Sequence, residues 1–282
     1  MRIALAQIAP ALGRVAANFD LHLQEIDQAR RAKVDLIIFP ELSLTGYLLK
    51  DLTAEVAINP DKDRRFQELK SLSREIGLVV GFVEEKERGL FFNSAALLAG
   101  GDVLSIHRKV FLPTYGMFEE GKFFAVGRNF RVVPTPWGKA GLMICREFLS
   151  HGAHYLLLAQ GVELVLAVSA APGRGLTEAE DFATSRMWEV MAEAMSYFSG
   201  SFIAYCNRAG YEDGMAFGGG SFIFNPFGRR LAKARPAERD FIVQDVDLQE
   251  LRRARTTMPF LRDDRPEIIL HALERIVKSY ED

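Results

Sequence analysis

Three apolar stretches of strand length each end in a side chain able to do chemistry: VDLIIFP runs into Glu41, DVLSIHR into Lys109 and AGLMI into Cys145. An acid, a cation and a thiol are the parts of an acyl-transfer site. A thiol attacks only as its thiolate, so Cys145 needs either a depressed pKa or an adjacent base. Glu41 precedes LSLTGY, too apolar for an ordinary solvated loop. Burial there raises the pKa of a carboxylate, the direction required of a general base working near neutrality. Lys109 precedes VFLPTYG, which encloses its ammonium and calls for a counterion, with Glu119 and Glu120 at hand. An enclosed ammonium would stabilise a developing oxyanion. Each residue taken alone also has a structural reading: a capping or ion-paired Glu41, a surface Lys109, and a buried inert Cys145 of the kind expected for Cys206 after SFIAY. What favours joint use is their common placement, because ligands of open α/β sheets gather at the carboxyl ends of strands.

Other polar features compete less well. His107 shares a strand face with Lys109, while Arg108 points the other way. His107 or His151 would be the base of a Cys-His pair, but no Cys-His signature surrounds Cys145. His151 and His154 form a weak i, i+3 pair that reads as a solvated helix start, and there is no CxxC or HExxH, so neither metal nor cofactor is expected. The Gly218 to Gly220 run lacks the strand-loop-helix context and lysine of a phosphate loop, and reads as a close backbone approach within a strand.

The elements that must carry these residues alternate between apolar strand-length runs and helical stretches, the pattern of an α/β domain. Strands are expected at Arg2 to Ile8, Val34 to Phe39, Leu78 to Val83, Phe92 to Leu98, Val103 to Lys109, Ala140 to Cys145, Glu163 to Ser169, Phe202 to Asn207, Gly220 to Phe224 and Phe241 to Val246. Between Phe82 and Ile144 the turns are short and polar, such as Gly100-Gly101, which predicts antiparallel hairpins within a mixed sheet. The clearest helix spans Leu176 to Phe198, with Phe182, Met187, Val190, Met191, Ala194 and Met195 near the helical period as a core-facing stripe. A further helix is expected to open near His151, bringing its unpaired N–H groups close to Cys145. No linker divides the chain, so residues 1–282 read as one domain, with the charged segment from Arg252 onward as an arm or frayed tail.

Taken together the motifs resemble the nitrilase superfamily of carbon-nitrogen hydrolases. FPELSLTGY carries the glutamate at Glu41, HRKVFLPTYGMFEE the lysine at Lys109 and a second acid at Glu120, and GLMICRE the nucleophile at Cys145. Downstream, the strand ending in Asn207-Arg208 and the segment GGSFIFNPFG are similar to the same family. The resemblance implies a four-layer α-β-β-α sandwich, a Glu41-Lys109-Cys145 triad assisted by Glu120, a thioester intermediate, and an oxyanion held by Lys109 and the Arg146 N–H. It also implies a homodimer or larger oligomer. Within the family, LTGYLLKDL and LPTYGMFEEGKFF look most like the glutaminase domain of glutamine-dependent NAD synthetases, which implies that Tyr47 and Tyr115 line an amide site. Arg146 and Ser169 complete the candidate substrate-binding set. Arg146-Glu147 departs from the Glu-Asp or Tyr-Asp pairs usual after the nucleophile, and no SGGxDS pyrophosphate loop is present.

The bulk properties are compatible with that reading. The 282 residues are 49% hydrophobic, enough for a large core. A net charge of -2 with interspersed signs offers no field to recruit nucleic acid or an anionic membrane. The N-terminal run is too short for a signal peptide and no stretch approaches a membrane span, so the cytoplasm is the expected compartment. Two distant cysteines make no disulfide framework. The expected reaction is hydrolysis of a small amide such as glutamine. The alternatives are a nitrile or carbamoyl-amine hydrolase, or a silent or assembly-dependent subunit that supplies ammonia to a separate synthetase partner.

Overall fold

The structure, a computed structural model, describes residues 1–175 and 182–280. Its strands in chain order are β1 (Arg2–Gln7), β2 (Leu36–Ile38), β3 (Gly77–Glu87), β4 (Leu90–Ala99), β5 (Asp102–Arg108), β6 (Val132–Thr135), β7 (Gly138–Ile144), β8 (Leu164–Ser169), β9 (Phe202–Asn207), β10 (Ala209–Glu212), β11 (Met215–Gly218), β12 (Phe222–Phe224), β13 (Arg230–Lys233) and β14 (Asp240–Asp245). Among the described residues they form two six-stranded sheets, ordered β14-β1-β2-β3-β4-β5 and β13-β12-β9-β8-β7-β6, and a separate hairpin, β10-β11. Each large sheet has three parallel strands at its centre, β1-β2-β3 in one and β7-β8-β9 in the other, with antiparallel neighbours outside them.

Continuous apolar runs such as IALA and LVLAV suit strands covered on both faces. In β1, Ile3 and Leu5 join the cluster of Leu142, Ile144, Val165 and Ile203 from the second sheet. Ala4 and Ala6 face the other way, against Phe19 and Ile26 of the helix Val15–Arg31 and Phe66 and Leu69 of the helix Arg64–Leu72. On the far side, Ala153 and Leu157 of the helix His151–Ala159 and Trp188 and Ala192 of the helix Ala183–Ser199 cover the second sheet. The alternation of each strand thus builds a helix-sheet-sheet-helix sandwich.

The expected strands are present with ends shifted by a few residues, and Gly100-Gly101 turns β4 into antiparallel β5. Four features differ. β6, β10, β11 and β13 are additional strands, short and only partly apolar, which leaves little alternation to read. Gly219 and Gly220 lie outside the strand, at φ +57 and +66, in the turn between β11 and β12; a Cβ at Gly219 would stand 2.6 Å from Gln7 Nε2. The close approach is real, but a turn makes it. The long helix begins at Ala183, its expected start at Leu176 lying outside the described residues, and Met187 and Val190 are exposed rather than core-facing. From Arg252 the chain continues as the end of the helix Gln249–Thr257 and then the helix Pro266–Lys278. Among the described residues no helix is long and apolar enough to cross a membrane.

Candidate active site

Parallel strands deliver side chains at their carboxyl ends, and here those ends meet. Glu41 follows β2, Cys145 follows β7 and Ser169 closes β8, while Lys109 follows the antiparallel β5. Local backbone geometry fixes two of them. Cys145 sits at φ +46, a left-handed conformation uncommon outside glycine, where β7 breaks into the short 3-10 turn Cys145–Leu149. Glu41 is held by the approach of its loop to Gly81, where a Cβ would lie 2.4 Å from Leu42 N and 2.5 Å from Pro40 O.

Lys109 Nζ, fully buried, donates to Glu41 Oε1 at 2.6 Å and to Glu120 Oε1 at 2.7 Å. Glu41 also accepts from Asn93 Nδ2 and from the Ala170 backbone N–H, both at 2.8 Å. Tyr47 donates its hydroxyl to Glu120 Oε1 at 2.6 Å. Burial alone would lower the Lys109 ammonium, but Glu120 and Glu41 together outweigh it and hold its pKa above the usual range. Glu120 is pushed up by burial, against the pull of Lys109. Tyr47 is pushed well up by burial and by the Glu120 and Glu41 charges, so its hydroxyl stays a donor.

Burial, reinforced by the Glu41 charge and opposed by Lys109 and the Ser169 hydroxyl, pushes the Cys145 thiol up to about 12. At rest this side chain is therefore a thiol, and a nucleophilic role for it would require a base beside it. Ser169 Oγ faces that sulfur closely enough to favour its thiolate, although it makes no hydrogen bond of good geometry within the protein. Glu120 Oε2 and Asn93 Oδ1 are likewise buried without partners. Native proteins rarely leave such atoms unmet, and in a cleft they point to a ligand.

Of the residues singled out in the sequence, Glu41, Lys109, Glu120, Tyr47, Cys145 and Ser169 are brought together. Arg146 follows Cys145 on the 3-10 turn, half-buried, with Nη1 enclosed and unpartnered. Tyr115 is not brought in: it is 57% exposed in the loop after β5 and packs edge-on against Phe118. Glu119, the other candidate counterion, pairs with Lys122 at the surface. Cys206 is fully buried and donates to Ala6 O at 3.5 Å, as expected of a structural thiol. His151 opens its helix on the surface. His107 Nε2 lies 2.7 Å from Glu147 Oε2, and Glu147 also accepts from the Ile144 and Val110 N–H groups. Glu147 thereby ties the residue before Cys145 to the residue after Lys109. Sequence reasoning missed this tie and also Asn93, whose signal was a polar side chain within the apolar run FFNSAALL. Among the described residues no group of three or more metal-ligating side chains is gathered.

The sequence profile of the carbon-nitrogen hydrolases matches residues 2–256. The chain belongs to the carbon-nitrogen hydrolase family. As a carbon-nitrogen hydrolase it is an enzyme that acts on carbon-nitrogen bonds. It is 32% identical over 251 residues to a glutamine-dependent NAD(+) synthetase of Acinetobacter baylyi, covering 89% of this chain and 45% of that protein. The chain thus spans less than half the length of that relative. An (R)-stereoselective amidase of a Pseudomonas species is 29% identical, with 94% and 92% covered. Among solved structures, an amidase from a Nesterenkonia species superposes with a TM-score of 0.79 at 26% identity, covering 96% of this chain and 95% of that one. One solved variant of that amidase carries acrylamide added at its active-site cysteine.

Proposed function

We propose that this hydrolase cleaves a small amide, with glutamine the first candidate, through a thioester on Cys145. The observation that carries the reading is the buried Lys109 bonded to both Glu41 and Glu120 beside the thiol. An ammonium has three N–H donors and Lys109 uses two within the protein, which leaves one for the substrate oxygen. Glu41 accepts three hydrogen bonds and retains acceptor capacity on Oε2 for the thiol proton.

In the sequence that follows, Glu41 takes the proton of Cys145 as the sulfur attacks the amide carbon, and the carbonyl electron pair moves onto oxygen. Lys109 and the Arg146 N–H, which stands in the first turn of its short helix without an intrahelical acceptor, stabilise that oxyanion. Glu120 Oε2 accepts from the substrate N–H and orients the leaving nitrogen. As the oxyanion collapses the carbon-nitrogen bond breaks, Glu41 returns its proton to the nitrogen, and ammonia leaves a thioester. Water, deprotonated by Glu41, then attacks the thioester carbon, the carbon-sulfur bond breaks to release the carboxylic acid, and Glu41 returns the proton to the sulfur.

The synthetase and amidase relatives favour an amide over a nitrile. The test is ammonia release by the purified chain over a panel of simple amides, glutamine and other ω-amides, carbamoyl amines and nitriles. Amide turnover is expected; nitrile turnover with no amide turnover would overturn the reading. A second reading, a glutaminase-like role that supplies ammonia to a synthetase, is favoured by the likeness to the glutamine-dependent NAD(+) synthetases. Steady ammonia release by the isolated chain would count against an obligate partner.

A further inference from the structure

Arg208, directly after β9, and Glu212, at the end of β10, are almost wholly buried, and neither takes part in the proposed reaction. Arg208 Nη1 donates to Glu212 Oε2 at 2.5 Å, Nη2 donates to Pro10 O at 3.2 Å, and the guanidinium lies 4.1 Å over the Phe217 ring. The other carboxylate oxygen of Glu212 accepts two backbone N–H groups, from Tyr47 at 2.9 Å and Leu48 at 2.7 Å. Gly46 makes this approach possible: it stands at φ +86, and a Cβ there would meet Leu12 Cα at 2.8 Å and Glu212 Oε2 at 3.1 Å. The Tyr47 ring, thus pinned at its backbone, packs edge-on to Phe217 and reaches Glu120 with its hydroxyl.

A buried ion pair is weak evidence for stability, because desolvation offsets most of the attraction. Its geometric product here is specific: one carboxylate oxygen fixes the two peptide groups that aim Tyr47. We infer that Arg208 and Glu212 are positioning residues of this hydrolase, acting through the Tyr47 hydroxyl to hold Glu120 against Lys109. The hairpin β10-β11, which pairs with neither large sheet, is then the element that completes the site. Burial lowers the Arg208 pKa against the opposing charges of Glu212 and, further off, Glu41, so the pair also lies within the field of the triad. The inference rests on the proposed amide chemistry for its role in turnover.

The experiment is a double-mutant cycle between Glu212→Gln and Tyr47→Phe, read by kcat and KM for an amide and, separately, by the rate at which acrylamide adds to Cys145, followed by intact mass. Acrylamide addition needs no turnover, since the sulfur bonds to the β-carbon and a proton goes to the α-carbon. Each single variant is expected to lower kcat/KM and the addition rate by about 10- to 100-fold, the scale of an ångström-sized misplacement. In the Tyr47→Phe background, Glu212→Gln should add less than about threefold, because the hydroxyl it aims is gone. Effects that multiply in full, or a Glu212→Gln enzyme as fast as wild type by both readouts, would overturn the inference. If Glu212→Gln does not fold, the paired replacement Arg208→Met with Glu212→Leu removes both charges together and is read in the same cycle. If no amide is turned over but the acrylamide cycle still shows coupling, the proposed function fails and the positioning role stands.

Discussion

At the scale of single residues, the chemistry turns on which groups hold protons at rest. Lys109 is an ammonium gripped by two carboxylates, and Cys145 is a thiol because burial and the Glu41 charge outweigh Lys109. A cysteine activated by a neighbouring cation alone would instead rest as a thiolate. The difference is measurable as thiolate absorbance in the ultraviolet, wild type minus Cys145→Ala, across pH. No thiolate signal is expected at neutrality, with its growth confined to strongly alkaline solution as pH approaches about 12. An inflection near neutrality would show a resting thiolate and remove the need for Glu41 as base. His107 serves structure instead. Its ring rests on Glu147, and it is Glu147, through its own bonds to the peptides beside Cys145 and Lys109, that ties those two segments together.

At the scale of elements, strand ends place the chemistry and close backbone approaches set its precision. Gly81 in β3 lets the Glu41 loop lie against the sheet, and Gly127 does the same for the Lys109 segment, where a Cβ would stand 1.9 Å from Arg108 O. Gly81→Ala must displace the Glu41 peptide, since the obstructing atoms are backbone. It is expected to cost about 1–3 kcal/mol of stability by overpacking and roughly 100-fold in kcat through misplacement of the base. Chemical denaturation and steady-state kinetics would check this, and a Gly81→Ala enzyme of wild-type kcat would contradict the positioning of Glu41 by this approach. Strand ends carrying Glu41, Lys109 and Cys145 were legible in the sequence because long apolar runs mark strands and because their motifs resemble a known family. Gly81, Asn93 and the Glu147 tie were not, since each acts on a residue remote in sequence that no periodicity links to it. Tyr115 lies at the surface because its loop leaves β5 and folds onto Phe118 rather than inward, and a loop path is not encoded in spacing.

At the scale of the whole molecule, two sheets pack face to face, and the helices outside them leave apolar surface uncovered. Leu156, Met187, Val190 and Phe198 on the helices over the second sheet are 46–53% exposed, and Ile268, Leu270 and Leu273 of the last described helix are 51–62% exposed. Large exposed apolar areas are where soluble chains associate. A homodimer or larger oligomer is the expected state, and light scattering at micromolar concentration would contradict it by returning the mass of one chain. Ammonia release from an amide substrate tests whether Glu41, and no histidine, is the base for Cys145. The comparison is between wild type and Cys145→Ala, Glu41→Gln, His107→Ala and His151→Ala, at equal folded concentration by circular dichroism. The expected result is no turnover for Cys145→Ala, a loss of ~10² to 10⁴-fold for Glu41→Gln, and most activity retained by both histidine variants. An active Glu41→Gln beside a dead histidine variant would contradict the assignment of Glu41 as base.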